Sequence, residues 1–244
     1  MKNILIIAGS DSAGGAGAQA DIKTCEAFGC YSATAMTVFV CENTQVTYDI
    51  SSVPANCVDS QIRGITEELE IDAVKIGMLF DVQTIKVVEK WLPKFNVPIV
   101  IDPVCISKSN VKLIKDDAID ALREILKFAT IATPNRYEAQ ALFHNDFSPL
   151  VCDVIVKKHV VNGESIDTLH KKDGSQLNFA TALADPFIMH GAGCTFSTAI
   201  ACCLAQGLSL EESIMKAKNY VYQAIKTGLE TKFGKTLLNH KVKI

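Results

Sequence analysis

A glycine-rich segment at residues 190–197 combines a thiol with backbone groups that could bind an anion. Gly191, Ala192 and Gly193 directly precede Cys194, and the apolar residues that follow are typical of a helix. The first turn of a helix leaves backbone N–H groups free, so these small residues could form a hole for an oxyanion. The helix dipole predicts a lowered pKa for the Cys194 thiol. On these residues alone, a glycine-rich helix start with a buried cysteine stays open as the alternative.

A second glycine-rich segment, residues 8–17, lies between a predicted strand and a predicted helix. Its glycines would let the backbone approach a ligand closely, and the helix start that follows favours anions. The spacing does not fit the G-x-G-x-x-G dinucleotide fingerprint, and no Lys-Ser/Thr pair of a P-loop follows. A flexible strand–helix turn is the alternative interpretation.

Candidate ligand-binding residues also follow several predicted buried strands. Met78, Asp102 and Asn135 each come shortly after an apolar run, and Glu138 follows Asn135 by three positions. In open α/β sheets, ligands bind outside the carboxyl ends of the strands. The sequence therefore predicts one ligand crevice at this edge of a sheet.

The elements that would position these residues alternate along the chain. Short β-branched runs and amphipathic segments follow one another, which predicts an α/β fold with helices on both faces of a parallel sheet. Turn signals within 162–180 predict a hairpin, and Ser209 with Glu212 predicts a capped helix. We expect one domain over residues 1–244. The predicted strands are 4–8, 33–40, 73–76, 99–101, 130–132 and 154–156, and the predicted helices are 17–28, 56–69, 82–92, 117–127 and two more that begin near 191–193 and at Ser209.

Composition excludes several classes of protein. The chain has 244 residues, of which 48% are hydrophobic and 21% charged, as in an ordinary globular protein. Its net charge of −3 offers no broad basic field for nucleic acid. No apolar run approaches the roughly 20 residues that cross a bilayer, and no secretory signal opens the chain. We therefore expect neither nucleic-acid nor membrane partners.

The nine cysteines predict a reducing compartment. Their number is odd, no CxxC pair occurs, and no histidine lies at a zinc-like spacing from them. We expect a cytoplasmic protein in which eight of the thiols are mostly small buried packing residues. Cys194 alone is placed for chemistry.

Together, these segments resemble the hydroxymethylpyrimidine/phosphomethylpyrimidine kinases of the ribokinase-like superfamily. The resemblance implies a three-layer αβα sandwich with a central, mostly parallel sheet. It also implies phosphorylation of 4-amino-5-hydroxymethyl-2-methylpyrimidine, then of its monophosphate, in thiamine biosynthesis, with ATP and Mg²⁺. Relatives are often homodimers. The similar segments keep the family's order over most of the chain, and they are 8–24, 75–79, 102–104 with Lys108-Ser109, 133–139 and 190–197.

The resemblance also implies roles for individual residues. The amides of Gly191, Ala192, Gly193 and Cys194 would bind the transferring phosphoryl group, and Cys194 would activate the substrate hydroxyl. The other implied sites form three groups. They are Gly9, Asp21, Glu42, Met78 and Val104 for the pyrimidine, Asn135, Lys157 and Thr195 for the nucleotide, and Asp102 with Glu138 for the metal.

The chain departs from the family pattern at several places. Glu42 stands where the family usually has Gln, and an ionised carboxylate only accepts hydrogen bonds. Ala192 replaces the more frequent Thr. The family's further helix has no counterpart in the short stretch 143–152, and the turn that is usually Lys-Gly-Gly-His reads Lys157-Lys158-His159.

Two other functions remain open on these departures. Glu42 and Ala192 lend support to a pyridoxal or pyridoxine kinase, which phosphorylates a similar hydroxymethyl group. The shortened stretch and the altered turn are compatible with a catalytically weakened module that only binds the pyrimidine.

Overall fold

The central sheet has nine strands in the order β3-β2-β1-β4-β5-β6-β7-β8-β9. The computed structural model describes residues 1–106, 114, 117–185 and 189–243, without the side chain of Lys158. Neighbouring strands from β2 to β7 pair in parallel, while β3 at one edge and β8 and β9 at the other are antiparallel. The strands are β1 (Asn3–Asp11), β2 (Tyr31–Glu42), β3 (Thr47–Ser52), β4 (Ala73–Ile76), β5 (Ile99–Ile101), β6 (Ile131–Ala132), β7 (Asp153–Val161), β8 (Glu164–His170) and β9 (Gln176–Ala182).

Helices cover both faces of the sheet. One apolar core lies between the sheet and α2 to α5, and the other lies between the sheet and α1, α6 and α7. This arrangement confirms the predicted αβα sandwich with a mostly parallel sheet. The helices are α1 (Gly17–Ala27), α2 (Ala55–Glu68), α3 (Val82–Trp91), α4 (Ala118–Ile125), α5 (Arg136–Phe143), α6 (Ala192–Ala205) and α7 (Leu210–Lys226).

The central strands are apolar at nearly every position because both of their faces are buried. In β1, Leu5 and Ile7 face one core while Ile4 and Ile6 face the other, and all four are fully buried. Strand β4 is buried along its whole length. Continuous apolar runs, rather than alternating ones, are the pattern of such strands, and the predicted central strands are confirmed.

Two strand pairs were not predicted from the sequence. Strand β3 pairs with the end of β2, and all six of its residues are exposed, so it has no buried face for a hydrophobic pattern to mark. A short antiparallel pair, β10 (Leu229–Thr231) and β11 (Gly234–Leu237), follows α7.

The region after α5 differs from the sequence-based expectation in one respect. The predicted turn at Lys157-Lys158-His159 is wrong, because β7 continues to Val161 with only a register shift between Val156 and His159. The chain turns later, at Asn162 and Gly163, both of which have positive φ. The short stretch 144–152 contains no helix, and its Phe147 ring stacks on His170 at 4.0 Å.

The cysteines are only partly the packing residues that the sequence predicted. None of the nine is part of a disulfide bond, six of the eight outside the site are buried, and Cys41 and Cys57 are exposed. Both exposed thiols lie on outer surfaces, Cys41 near the end of β2 and Cys57 in the first turn of α2. Within the described residues, no helix is long and apolar enough to cross a membrane.

Candidate active site

The two glycine-rich segments lie directly against each other. Gly191 is the N-cap of α6 and has φ of 83°, and a Cβ on it would overlap the carbonyl group of Gly15. The Cys194 sulfur accepts a hydrogen bond from the backbone N–H of Gly17, the first residue of α1. The loops before α1 and before α6 therefore form one site at the carboxyl edge of the sheet. Only glycine fits this approach at position 191, because it combines a positive φ with the lack of a Cβ.

The start of α6 is suited to bind an anion. Its first intrahelical bond runs from the Thr195 N–H to the Gly191 carbonyl at 2.9 Å. The preceding amides of Ala192, Gly193 and Cys194 belong to the first turn, where N–H groups have no partner inside the helix. Together with the helix dipole, they could bind an anion, and the anion hole expected from the sequence stays a prediction.

The pKa of the Cys194 thiol is raised rather than lowered, so that prediction is wrong. Loss of hydration raises the pKa to about 11, and this outweighs the opposing effects of the Lys75 ammonium and the Gly17 N–H. The predicted helix dipole is present, but burial favours the neutral form by more. Before substrate binds, Cys194 is therefore a protonated thiol at neutral pH.

Below the thiol lies a fully buried ion pair. The Lys75 ammonium at the middle of β4 donates to Asp21 of α1 at 2.7 Å, and both side chains have no exposed area. Thr198 of α6 donates to the other Asp21 oxygen at 2.7 Å. Burial alone would lower the pKa of Lys75, but the carboxylates of Asp21 and Asp102 raise it. Asp21 thus joins the sheet to both helices that begin at the site.

A second ion pair lies on the other side of the anion hole. Lys157 of β7 donates to Asp102 at 2.7 Å, and the Thr133 hydroxyl donates to the same oxygen at 3.0 Å. A methyl group on Gly193 would lie 3.3 Å from the Lys157 ammonium and 3.6 Å from the second Asp102 oxygen. Burial would raise the pKa of Asp102, but Lys157 and Lys75 hold it below its usual value.

Asn135 and Glu138 have a structural role that the sequence reading missed. They form a capping box at the start of α5: the Asn135 side chain accepts from the Glu138 N–H at 3.0 Å, and Glu138 accepts from the Asn135 N–H at 2.7 Å. The signal was present, because Asn followed three residues later by Glu marks such a helix start. Burial raises the pKa of Glu138 to about 7.

The carboxylate of Asp102 fits a magnesium ion. One of its oxygens accepts from Lys157 and Thr133, while the other, among the described residues, accepts only from the Ser197 hydroxyl at 3.5 Å and faces Gly193. Mg²⁺ prefers hard oxygen ligands and is usually held by one or two carboxylates, water and substrate phosphates. Both Glu138 oxygens accept backbone N–H groups, from Asn135 and Cys105, so Glu138 would act on the ion indirectly.

Of the residues predicted to bind the acceptor, Gly9 and Met78 are neighbours, whereas Glu42 and Val104 have other contacts. A Cβ on Gly9 would lie 3.8 Å from the Met78 Cβ. The half-buried Glu42 accepts from the Thr47 hydroxyl at 3.0 Å and lies 3.8 Å from the His190 Nε2. Of Val104, the backbone N–H donates to the Asp102 carbonyl at 2.8 Å.

Asp11 and His190 lie beside Glu42, although the sequence assigned them no role. Their side chains meet at 2.8 Å, which ties the two glycine-rich loops together. With Glu42 they have the spacing of a metal site, all ligand atoms lying within 4.8 Å. The Asp11 oxygens, however, already accept N–H groups of residues 13, 15 and 16. We therefore interpret this group as a structural link between the loops.

Two of the residues predicted to bind the nucleotide, Asn135 and Thr195, use their side chains in hydrogen bonds within the protein. The Asn135 amide group donates to the Ile106 carbonyl at 3.0 Å. Thr195 is fully buried, and its hydroxyl lies 3.0 Å from the His240 Nε2. Lys108 and Ser109 lie outside the described residues.

Comparison with known proteins identifies a matching family and several relatives. The profile of a family described as phosphomethylpyrimidine kinase matches residues 11–239. Hydroxymethylpyrimidine/phosphomethylpyrimidine kinase of Streptomyces coelicolor is 33% identical over 92% of this chain and 89% of its own length. Thiamine biosynthesis bifunctional protein ThiED of Geobacter sulfurreducens is 34% identical over 98% of this chain, which spans only 52% of that protein.

Similarity to pyridoxine and pyridoxal kinases is of the same order. Pyridoxine kinase of Bacillus subtilis is 34% identical over 93% of this chain and 91% of its own length. The structure of the pyridoxal kinase from Staphylococcus aureus in complex with AMP-PCP matches with a TM-score of 0.87 and 28% identity, over 99% of this chain and 94% of that one. Identity alone does not separate the two substrate classes.

Proposed function

The chain belongs to the phosphomethylpyrimidine kinase family, and on that premise we propose which reaction it catalyses. It transfers a phosphoryl group from ATP to the hydroxymethyl group of 4-amino-5-hydroxymethyl-2-methylpyrimidine, and then phosphorylates the monophosphate, in thiamine biosynthesis. The observation that carries this proposal is the contact between the two glycine-rich loops. It brings the α6 amides and Cys194 to the point where the Lys75–Asp21 and Lys157–Asp102 pairs meet.

The start of α6 would stabilise the transferring phosphoryl group. In phosphoryl transfer, charge spreads over the equatorial oxygens, so catalysis depends on position and on electrostatic stabilisation. The amides of Ala192, Gly193 and Cys194 can donate to those oxygens without rearrangement. Lys157 lies beside Gly193 and would add positive charge on the nucleotide side.

Mg²⁺ would be held by the second Asp102 oxygen, with Glu138 acting indirectly. When bound, the ion would neutralise charge on the phosphates. Asn135 fixes the start of α5, and thereby the position of Glu138, through the capping box. We expect Thr195 to act on the nucleotide only through the helix start that it supports, since its hydroxyl is bound to His240.

The acceptor would bind between Gly9, Met78 and Glu42, with Val104 nearby. Gly9 would contact the ring only through its backbone, because a Val38 methyl group lies 2.6 Å from the position that a Cβ would take. The Glu42 carboxylate can accept from the exocyclic amine of the pyrimidine, and it would pair better with a protonated ring nitrogen. Asp21 is buried with Lys75 and would act by holding the floor of the site.

Cys194 would lie next to the hydroxyl that is phosphorylated. Only its thiolate can accept the hydroxyl proton, and a pKa of about 11 leaves little thiolate at neutral pH. Its sulfur, held by the Gly17 N–H, can orient the hydroxyl in either protonation state. The role of Cys194 as a base can thus be tested separately from its role in orienting the hydroxyl.

A product-resolved assay tests the proposal. Purified protein is incubated with ATP, MgCl₂ and the pyrimidine alcohol, and ADP and the phosphorylated products are quantified by mass spectrometry. We expect one ADP per phosphate ester formed, and no product when EDTA removes the metal. Binding of the pyrimidine without ADP formation would instead identify a binding module without turnover.

A pyridoxal kinase is the second candidate, favoured by the Glu42 carboxylate in the acceptor pocket. Glu42→Gln restores the residue that is usual in the family. If the carboxylate favours the pyridine ring of pyridoxal, this variant should raise the preference for the aminopyrimidine. If Glu42 instead binds the amine of the pyrimidine, the same variant should lose activity on it. The kcat/KM values of the unmodified protein and of Glu42→Gln on both substrates decide between these roles.

We further propose a single cytoplasmic kinase domain that forms homodimers. Nine cysteines without a disulfide bond fit a reducing compartment. The β2–β3 pair exposes Tyr48 and Ile50 on one face, a surface that a second copy could cover. Light scattering after gel filtration gives the mass, and a monomer at micromolar concentration would contradict the dimer.

A further inference from the structure

Thr195, the fourth residue of α6, is bound to a histidine 45 positions later in the chain. Its hydroxyl lies 3.0 Å from the His240 Nε2, and this contact is buried. His240 itself is only 7% exposed. No sequence motif surrounds His240, and nothing in the proposed reaction requires it.

The protonation state and the tautomer of the His240 ring determine which partner donates in this hydrogen bond. Burial lowers the pKa of His240 to about 4, so the ring is neutral at physiological pH. The Leu238 backbone carbonyl opposes this lowering, as a carbonyl that faces a ring N–H does. We assign that N–H to Nδ1, because Nε2 faces Thr195. In this tautomer the Nε2 lone pair accepts the Thr195 hydroxyl proton.

This bond affects the geometry of the helix start. A threonine hydroxyl inside a helix otherwise tends to bond back to the carbonyl four residues earlier, which bends the helix. For Thr195 that carbonyl belongs to Gly191, which already accepts the Thr195 N–H at 2.9 Å. By taking the hydroxyl, His240 leaves the first turn of α6 undistorted.

Further contacts attach the same segment to the loop. The Thr236 carbonyl accepts the His190 N–H at 3.3 Å. Leu238 is buried with Ala192 and Met189 in a small separate core. The Tyr220 hydroxyl of α7 donates to the His240 carbonyl at 2.9 Å. Residues 236–240 thus support one side of the loop, while Gly15 contacts the other side.

We propose that His240 is a positioning residue for phosphoryl transfer, acting through the Thr195 hydroxyl on the amides at the start of α6. This inference rests on the proposed role of those amides in binding the transferring group. Hydrogen-bond donors must match the position of the transition-state oxygens, so a small displacement lowers the transfer rate more than substrate binding.

The test uses the full chain with four variants. His240→Leu removes the acceptor, Thr195→Val removes the hydroxyl at nearly constant shape, and the double variant removes both. His240→Gln restores an acceptor close to the Nε2 position. Thr66→Val is the control, because it removes a threonine hydroxyl that donates to the Ile62 carbonyl of α2 at 3.0 Å, on the other face of the sheet.

We expect each single variant to lower the single-turnover transfer rate about 10- to 100-fold with unchanged acceptor affinity. The double variant should be no slower than the slower single one, and His240→Gln should recover most of the rate. Unchanged rates, or losses that multiply in the double variant, would overturn the proposal. If His240→Leu does not fold, Thr195→Val and His240→Gln still decide.

Hydrogen exchange separates this inference from the proposed function. The Thr195 amide closes the first helical turn, and it should exchange at least about tenfold faster in Thr195→Val and His240→Leu, because local opening becomes easier. This result does not depend on turnover. Unchanged exchange would contradict the supporting role of His240, whereas an absence of ADP formation in the unmodified protein would contradict only the proposed reaction.

Discussion

Cys194 would need to be a thiolate to act as a base, but loss of hydration at its position favours the neutral thiol. The sulfur lies next to the anion hole and accepts the Gly17 N–H, yet burial raises its pKa to about 11. The sequence located this residue correctly, because a cysteine after small residues at a helix start is visible in the primary structure. Its ionisation was not predictable, since the loss of hydration depends on how the loop before α1 covers the thiol.

Replacement of Cys194 by alanine tests its contribution directly. Loss of a positioned proton acceptor costs roughly 10²- to 10⁴-fold in rate, so we expect Cys194→Ala to lower kcat to that extent with little change in acceptor affinity. Steady-state kinetics and calorimetric binding of the pyrimidine provide both values. Unchanged turnover would remove Cys194 from the mechanism.

The raised pKa of Cys194 also predicts a pH profile. If the thiolate is the base, its fraction rises tenfold per pH unit below about 11, so the single-turnover rate should increase from pH 6 to 9. Glu138, whose pKa is about 7, titrates in the same range. Cys194→Asp keeps Glu138 but supplies a carboxylate, and its rate should be nearly constant above pH 7. A flat profile in the unmodified protein would show that the thiolate is not the base.

The site depends on the close approach of the loop before α1 and the loop before α6. Gly191 and Gly207 both have positive φ, 83° and 88°, but only Gly191 has a neighbour where a Cβ would stand. A side chain at either position strains the backbone by about 1 kcal/mol or more. At Gly191 it must also push the loop before α1 away.

A comparison of Gly191→Ala with Gly207→Ala separates the effect of backbone strain from the effect of the contact between the loops. We expect both variants to lose stability in urea unfolding, and Gly191→Ala to lose more. Only Gly191→Ala should lose phosphoryl transfer, by at least about 100-fold, because the amides move away from the acceptor. Equal activity of the two variants would contradict the importance of the loop contact.

Elements with a buried face were predictable and those without one were not. The apolar runs of β1 and β4 and the Ser209–Glu212 capping box carry local signals, and the structure has them. Strand β3 is exposed at every residue, so no periodic pattern marks it. The Thr195–His240 bond joins residues 45 positions apart, and no local rule connects them.

The Lys75–Asp21 pair joins the central sheet to α1 and α6, the two helices that begin at the site. Both side chains are fully buried, whereas the Lys2–Asp72 pair at 2.7 Å lies on the surface. Removal of one partner of a buried pair leaves an uncompensated charge and costs about 3–5 kcal/mol. An exposed pair contributes about 0–1 kcal/mol.

Lys75→Met should therefore destabilise the protein far more than Lys2→Met. Urea unfolding monitored by circular dichroism gives both free energies. We expect a loss of about 3–5 kcal/mol for Lys75→Met and of less than about 1 kcal/mol for the control. Similar losses in the two variants would mean that the buried pair does not hold the layers together.

The identity of the acceptor is the central claim, and competition between substrates tests it most directly. The measurement is kcat/KM with ATP and Mg²⁺ for the hydroxymethyl aminopyrimidine, its monophosphate and pyridoxal. Recognition of the pyrimidine amine by Glu42 predicts a preference of at least about 100-fold over pyridoxal, since an acceptor that the bound ring covers and leaves without a donor discriminates strongly. Equal values, or a preference for pyridoxal, would contradict the assignment.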